Sequence, residues 1–282
     1  MALINLFLGL LVIPPTIFAA APYGNVLASD VARTYIDDIE KYFKIAPDNP
    51  PAYKLRYVTE PTCFAYWGSC DTTYFHLKNT FVNGTAKAFY VPYTEYENAN
   101  VFSEKSQMTI TQSTAIVLGT SKGWNAAAKW TVSGDARGQK AALEVSGGYS
   151  STTTGTTTTT KTVSTHAECR YGYICEIQTW TFHVLIDGMC KTRPYLNCGS
   201  EKDACKRRDR IRCKQQRTYI DKFCNHHRLS TMTPCSASMV VRNAAGEPFT
   251  TLALVSSRIN SDGIPATAKR DNLEDLIVEI LN

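Results

Sequence analysis

Beyond its first twenty-one residues the chain has no apolar run near the ~18 uninterrupted residues of a membrane helix, which excludes a helical anchor in the remainder. It also lacks a G-x-x-x-x-G-K-[ST] phosphate loop, a G-x-G-x-x-G dinucleotide fingerprint and an H-E-x-x-H helix, so nucleotide-dependent and zinc-protease chemistry have no footing. Paired C-x2-4-C zinc knuckles are missing. His226 and His227 follow Cys224, but the steps Cys198 to Cys205 and Cys205 to Cys213 are too long for knuckles, so no metal or other cofactor is expected. Residues 2–21 carry no charged side chain. Leu6, Leu8, Leu10, Leu11, Val12 and Ile13 form an apolar stretch closed by Ala19-Ala20-Ala21, the pattern of a signal peptide over 1–21. Its Pro14-Pro15 pair comes too early for a membrane span.

What is present is cysteine: Cys63, Cys70, Cys169, Cys175, Cys190, Cys198, Cys205, Cys213, Cys224 and Cys235. An even number on an export route predicts five disulfides and a secreted, extracellular protein. Cys63 with Cys70 and Cys169 with Cys175 are expected as local loops, and the six from Cys190 to Cys235 have no connectivity readable from spacing. Asn83-Gly84-Thr85 is a glycosylation acceptor once the chain is exported, which requires Asn83 at the surface.

The periodicities predict a mainly β protein of the α+β class: an elongated antiparallel β-sheet region with a short N-terminal helix and a disulfide-rich, partly helical C-terminal block. Ser29 caps a helix whose Val31, Tyr35, Ile39 and Tyr42 recur at helical spacing. Residues 53–96 are rich in Tyr, Phe, Thr and Val, as strands are. Met108 to Leu118 is expected as a strand with Met108, Ile110, Ile116 and Leu118 in one register. The threonine tract from Ser150 to Thr165 is either a long polar strand or an extended linker, since β-branched threonine favours extended backbone. Trp180, Phe182, Val184 and Ile186 alternate in a strand expected to end at Asp187-Gly188. The organisation expected is a signal peptide over 1–21, an N-terminal α+β region over 22–107, a Ser/Thr-rich long-strand β region over 108–190, a basic cysteine-rich block over 191–236, and a C-terminal β region with an acidic amphipathic tail over 237–282.

Between 124 and 150 the pattern is more specific. Trp124, Ala126, Ala128, Trp130 and Val132 fall on one face of an extended chain, and after the turn-prone Gly134 to Gly138 so do Ala141, Leu143, Val145 and Tyr149. Each arm is close to the ~9–11 residues a tilted strand needs to cross a bilayer core. The same alternation also arises in a soluble antiparallel sheet with one wet face.

Charge is uneven. Lys191 to Arg228 holds twelve Lys or Arg and four Asp or Glu, an excess of twelve minus four, or +8, while the whole chain is +5. Lys206, Arg207, Arg208, Arg210, Arg212, Lys214 and Arg217 are the candidates for attraction to an anionic surface. Within this block Asp203 to Phe223 looks helical. A nucleic-acid partner is not expected, because no recognised binding motif is present. Lys269-Arg270 is a candidate processing site ahead of the acidic segment Asp271 to Leu281.

Gly119-Thr120-Ser121-Lys122-Gly123 fits G-x-S-x-G after an apolar strand, which raises a serine hydrolase using Ser121 with Asp187 and His226 downstream. The chain around it lacks the alternating helices that fold needs. A non-enzyme is therefore expected.

Long Ser/Thr-rich strands around an amphipathic small-residue hairpin, over 108–186, resemble the aerolysin and epsilon-toxin type of β-pore-forming protein. That resemblance implies an elongated β domain whose hairpin leaves the sheet and lines a transmembrane barrel after oligomerisation, with another region recognising the target surface. The dense cysteine block departs from that pattern. The signal peptide, cysteines and dibasic pair also resemble secreted cysteine-rich effectors of fungi. The leading expectation is a secreted, disulfide-stabilised toxin or effector acting on a target-cell membrane or surface receptor, with a homo-oligomer forming on the membrane. The alternatives are a non-lytic binding protein for a host protein or cell wall, and the Ser121 hydrolase.

Overall fold

The computed structural model describes residues 30–121, 123–135, 138–148, 155–206, 213–224, 231–259 and 276–281. The signal peptide expected over 1–21 and the candidate processing site Lys269-Arg270 lie outside them. One strand organises the molecule. β9, Tyr173–Asn197, is paired along its whole length with β3, Thr72–Asn100, from Asn100 opposite Tyr173 to Tyr74 opposite Asn197. At about 3.3 Å per residue these are ribbons roughly 80–95 Å long. The other edge of β9 is taken in turn by β12 (Thr250–Arg258), β11 (Met232–Arg242) and β10 (Glu201–Asp203).

The sheet has 11 strands among the described residues, in the order β1-β7-β6-β11-β9-β3-β2-β5, with β10, β12 and β13 attached to β9 and β12. β1 is Phe43–Ile45, β2 is Ala52–Pro61, β5 is Trp124–Asn125, β6 is Ala127–Asp135, β7 is Gly138–Ser146 and β13 is Leu276–Leu281. A second sheet holds only β4 (Lys105–Val117) and β8 (Thr157–Arg170).

β9 is buried on both faces, which explains its nearly continuous run of large side chains. Trp180, Phe182, Val184 and Ile186 face a core completed by helix α1 (Asp30–Lys41) and by the β6–β7 pair. Thr179, Thr181 and His183 are buried on the opposite face, where β4 crosses. Cys175 and Ile177 join Met108, Ile110, Ala167 and Leu254 in a second core under β4 and β8.

The expected end of this strand at Asp187-Gly188 is overturned. The chain runs on to Asn197, because Gly188 pairs directly with Gly84 and the missing side chains let the two backbones close. A Cβ on Gly188 would collide with the Asn83 carbonyl, and one on Gly84 would lie 2.9 Å from the Asp187 oxygen. The two glycines are the crossing point of the ribbon, not its end.

Two further expectations are corrected, and one left open is decided. In β4 a register shift between Ile110 and Gln112 changes the inward face, so Met108 and Ile110 are buried but beyond the shift it is Ser113, Ala115 and Val117 that turn inward. The helix in the basic block is α2, Lys214–Phe223, and Asp203 instead ends strand β10. The threonine tract is strand from Thr157 onward, paired with β4.

All ten cysteines are joined, as Cys63–Cys213, Cys70–Cys198, Cys169–Cys175, Cys190–Cys235 and Cys205–Cys224. The local loop Cys169–Cys175 is as expected. Cys63 and Cys70 do not pair with each other, because a short 3-10 turn, Phe64–Tyr66, turns the chain between them and each bonds a partner more than a hundred residues away. Five disulfides fit an extracellular protein. Among the described residues no helix is long and apolar enough to cross a membrane, which says nothing of a strand-built barrel.

Candidate functional site

β6 and β7 form the expected hairpin, with Asp135 opposite Gly138 at the turn, Trp130 opposite Leu143 and Ala128 opposite Val145. The alternation of small-apolar and polar residues puts Ala126, Ala128, Trp130, Leu143 and Val145 into the main core. Trp124 is buried too, its ring packed at a tilt against Tyr53 (4.6 Å) and Phe81 (4.7 Å). Val132 is the exception. It shares the sequence face of Trp130 yet is 55% exposed, because the arm runs past the edge of the core near the turn. Tyr149 lies outside the described residues.

The hairpin is held in place by parallel neighbours. β1 lies along β7, with Phe43, Lys44 and Ile45 opposite Leu143, Glu144 and Val145, and a Lys44–Glu144 ion pair of 3.4 Å on the wet side. β11 meets β6 over only two residues, Val241 and Arg242. So the outer arm has three residues of ladder and the inner arm two; at the base, Gly147 N–H donates to the Asn49 carbonyl (2.6 Å), β5 pairs with β2 through Trp124 and Asn125, and side-chain packing adds the rest.

The chain enters and leaves this hairpin through β4 and β8. Near the hairpin, beyond the apolar core under Met108 and Ile110, the seating of β4 on the long ribbon is polar. Thr114 N–H donates to Glu95, Ile116 N–H donates to Thr181 Oγ1 (3.1 Å), Leu118 N–H donates to His183 Nε2 (3.0 Å), and Ser113 and Thr179 hydroxyls meet at 3.0 Å. Side-chain acceptors on the ribbon thus satisfy main-chain donors at the edge of β4. Water can replace such bonds at a net cost of about 0.5–1.5 kcal/mol each. Burial pushes the His183 imidazole down to about 4, so it is neutral; its Nδ1 faces the Thr181 carbonyl and leaves Nε2 as the acceptor.

No protein-family model matches the chain, and no curated protein matches it. Among solved structures the chain shows a weak likeness to two proteins. One is the Cry23Aa1 and Cry37Aa1 binary protein complex, at 12% identity over 90% of this chain and 94% of that one, with a TM-score of 0.22. Another is the parasporin-2 Bacillus thuringiensis toxin that recognizes cancer cells, at 10% identity over 80% of this chain and 99% of that one, also with a TM-score of 0.22. At that score the backbones do not superpose as one fold, and the hairpin stands on its own geometry.

The basic candidates are divided. Lys206, Lys214 and Arg217 are exposed around α2, while Arg207, Arg208, Arg210 and Arg212 fall outside the described residues. Asn83 is exposed, on β3 beside the Gly84–Gly188 crossing. Of the four tryptophans, Trp124, Trp130 and Trp180 are core residues and Trp67 is not. Trp67 is 60% exposed and packs edge-on against Phe64, itself 81% exposed, on the turn between Cys63 and Cys70. An aromatic pair set between two cysteines was the only sequence signal for this patch.

Ser121 does not sit in a nucleophile elbow. It lies in a turn where its N–H donates to the Ser238 carbonyl (2.9 Å) and its Oγ accepts from Ser238 N–H (2.8 Å), and strand β5 follows instead of a helix. Asp187 is an exposed residue of β9, and His226 lies outside the described residues. Cys224, next to His226 and His227, is consumed in its bond to Cys205 and is no metal ligand.

Proposed function

We propose that the protein is a secreted toxin or effector whose β6–β7 hairpin leaves the sheet, joins β4 and β8 in one long hairpin, and closes a transmembrane β-barrel with other copies of the chain. The observation that carries this reading is one of register. Beyond the last β4/β8 pair, Val117 with Thr157, and before the first β6/β7 pair, Ala127 with Ser146, lie nine residues on one arm (118–126) and ten on the other (147–156). A single-residue bulge aligns them. Both existing ladders can then persist while the middle closes, giving one antiparallel hairpin from Lys105 to Arg170, about 100 Å long at 3.3 Å per residue. Trp124 to Val132 and Ala141 to Tyr149 would be its bilayer-spanning parts.

Leaving the sheet exposes Trp130, Leu143 and Val145, at about 1.5–3 kcal/mol each in water. Insertion into lipid returns that contribution, and barrel closure satisfies the main-chain groups of every strand. The basic residues around α2 would draw the protein to anionic membranes.

The test is dye release from liposomes with and without anionic lipid, using oxidised mature protein and a sample cleaved after Arg270. A second sample carries Lys44→Cys with Glu144→Cys, which staples the hairpin to β1 at a register pair. Leakage that the staple abolishes, and the single cysteine variants do not, supports insertion. Leakage unchanged by the staple removes the hairpin as the inserting element. A folded protein that leaks from neither sample favours the second reading, a non-lytic surface-binding protein, which the burial of Ala128, Leu143 and Val145 in the resting core also accommodates.

A further inference from the structure

Helix α2 is covalently fixed at both ends. Cys213, the residue before Lys214, is bonded to Cys63, and Cys224, the residue after Phe223, is bonded to Cys205. Gln215 adds a hydrogen bond to the Pro61 carbonyl (2.8 Å), and the Tyr219 hydroxyl donates to the His76 carbonyl (2.8 Å). Beneath this helix Ile220 packs with Phe75, Leu196 and Ala204. Beside that packing the helix does not close onto the sheet. A groove of about 600 Å³ remains between α2 and strands β2 and β3.

The floor of the groove is Val58, Phe75 and Leu77, and its wall is Tyr219 and Phe223. The wall is preformed: the Tyr219 ring packs at a tilt 4.8 Å from Phe75 and 4.9 Å from Phe223. Val58 is 54% exposed, so apolar surface faces open space here. The rim carries Lys214 and Lys222 against one carboxylate, Glu60. The two lysines are eight residues apart, about 12 Å along a helix. This is the composition of a small-molecule site, apolar inside with a few charged groups at the mouth, in the ~300–1,000 Å³ range of such sites.

We propose that this groove binds one single-chain anionic amphiphile, a long-chain carboxylate, with its hydrocarbon tail along Val58, Phe75 and Leu77 and its head paired with Lys214 or Lys222. The excess of cations over carboxylates at the rim selects the anionic head. The helix that walls the groove is ten residues, about 15 Å, long, a length that suits a single chain of moderate length. The groove shares no residue with the hairpin, so the proposal holds whether or not the hairpin inserts.

The test is isothermal titration of the oxidised full mature protein with dodecanoate below its micelle concentration, alongside dodecanol, dodecyltrimethylammonium and butyrate. The expected result is saturable one-to-one binding of dodecanoate, at least tenfold weaker binding of dodecanol and the cationic amphiphile, and none of butyrate. Lys214→Glu with Lys222→Glu, both at exposed positions, weakens dodecanoate at least tenfold and leaves dodecanol unchanged. Val58→Trp, which fills the floor from an exposed position, abolishes both. Near-ultraviolet circular dichroism confirms that each variant keeps its fold. Equal affinity for the anionic and cationic amphiphiles, undiminished binding in Val58→Trp, or no saturable binding of dodecanoate would each overturn the proposal.

Discussion

The Nε2 atom of His183 accepts a hydrogen bond from the Leu118 N–H at 3.0 Å, at the residue where the chain leaves β4 for the hairpin. Only the neutral ring can accept there. Burial holds the His183 imidazole at about 4, against an ordinary value of 6.5. The unfolded chain therefore takes up a proton as pH falls through 6.5 while the folded one resists until about 4. Stability from this residue is full above pH 6.5 and is lost as pH falls toward 4. Urea unfolding should show the parent protein losing about 2–3 kcal/mol more than His183→Gln between pH 7 and pH 4.5. Parallel losses in the two proteins would mean that His183 titrates normally.

Val132 separates the resting structure from the proposed inserted one. It is exposed beside the turn now, and it would face lipid in a continuous hairpin. Val132→Asp should change unfolding stability by no more than about 0.5 kcal/mol and should suppress liposome leakage at least tenfold. Undiminished leakage would show that this face of β6 does not meet the bilayer.

Much of this was legible in the chain. The hairpin arms, the inward places of Trp124, Ala126, Ala128, Trp130, Leu143 and Val145, and helix α1 followed from alternation and periodicity alone, because each element packs on one face; alternation could not show that Val132 runs past the core. β9 misled because it is buried on both faces, so Asp187-Gly188 read as a stop when the glycine is where two backbones cross. The pairings of Cys63 and Cys70 were hidden for a different reason: spacing speaks only of local loops, and these bonds join segments more than a hundred residues apart. The groove left no mark in the sequence, since Val58, Phe75 and Tyr219 come together only after β2, β3 and α2 have docked.

The glycine crossing gives a direct test of the long ribbon. Gly188→Val forces a side chain into the Asn83 carbonyl and should lower stability by about 2–3 kcal/mol. Gly155, where an added Cβ would meet nothing within 4 Å, should tolerate alanine to within about 0.5 kcal/mol. Denaturant titration of the two variants reads the difference. Equal effects would argue that β3 and β9 do not close at this point.

Removing the Cys63–Cys213 bond as Cys63→Ser with Cys213→Ser frees the start of α2 and opens a loop whose ends are 150 positions apart in sequence. A stability loss of about 2–5 kcal/mol is expected. Hydrogen exchange at the Ile220 and Tyr219 amides should accelerate more than at Val184. Uniform acceleration would mean that the bond supports the whole sheet and not the helix.

The disulfides also divide the molecule mechanically. No cysteine lies between Cys70 and Cys169, so the whole path from β3 through β4, the hairpin and most of β8 is unriveted, while the strands around it are bolted together by Cys63–Cys213, Cys70–Cys198 and Cys190–Cys235. The one bolt on this path, Cys169–Cys175, sits at the foot of β8 where it meets β9. A load on the folded chain is therefore met by a cross-linked frame and, between Cys70 and Cys169, by the longest stretch without a cross-link, hinged at a fixed foot. In such an object covalent wiring leaves the hairpin and both of its feeding strands on the same unlinked stretch, so they can move together without breaking a disulfide.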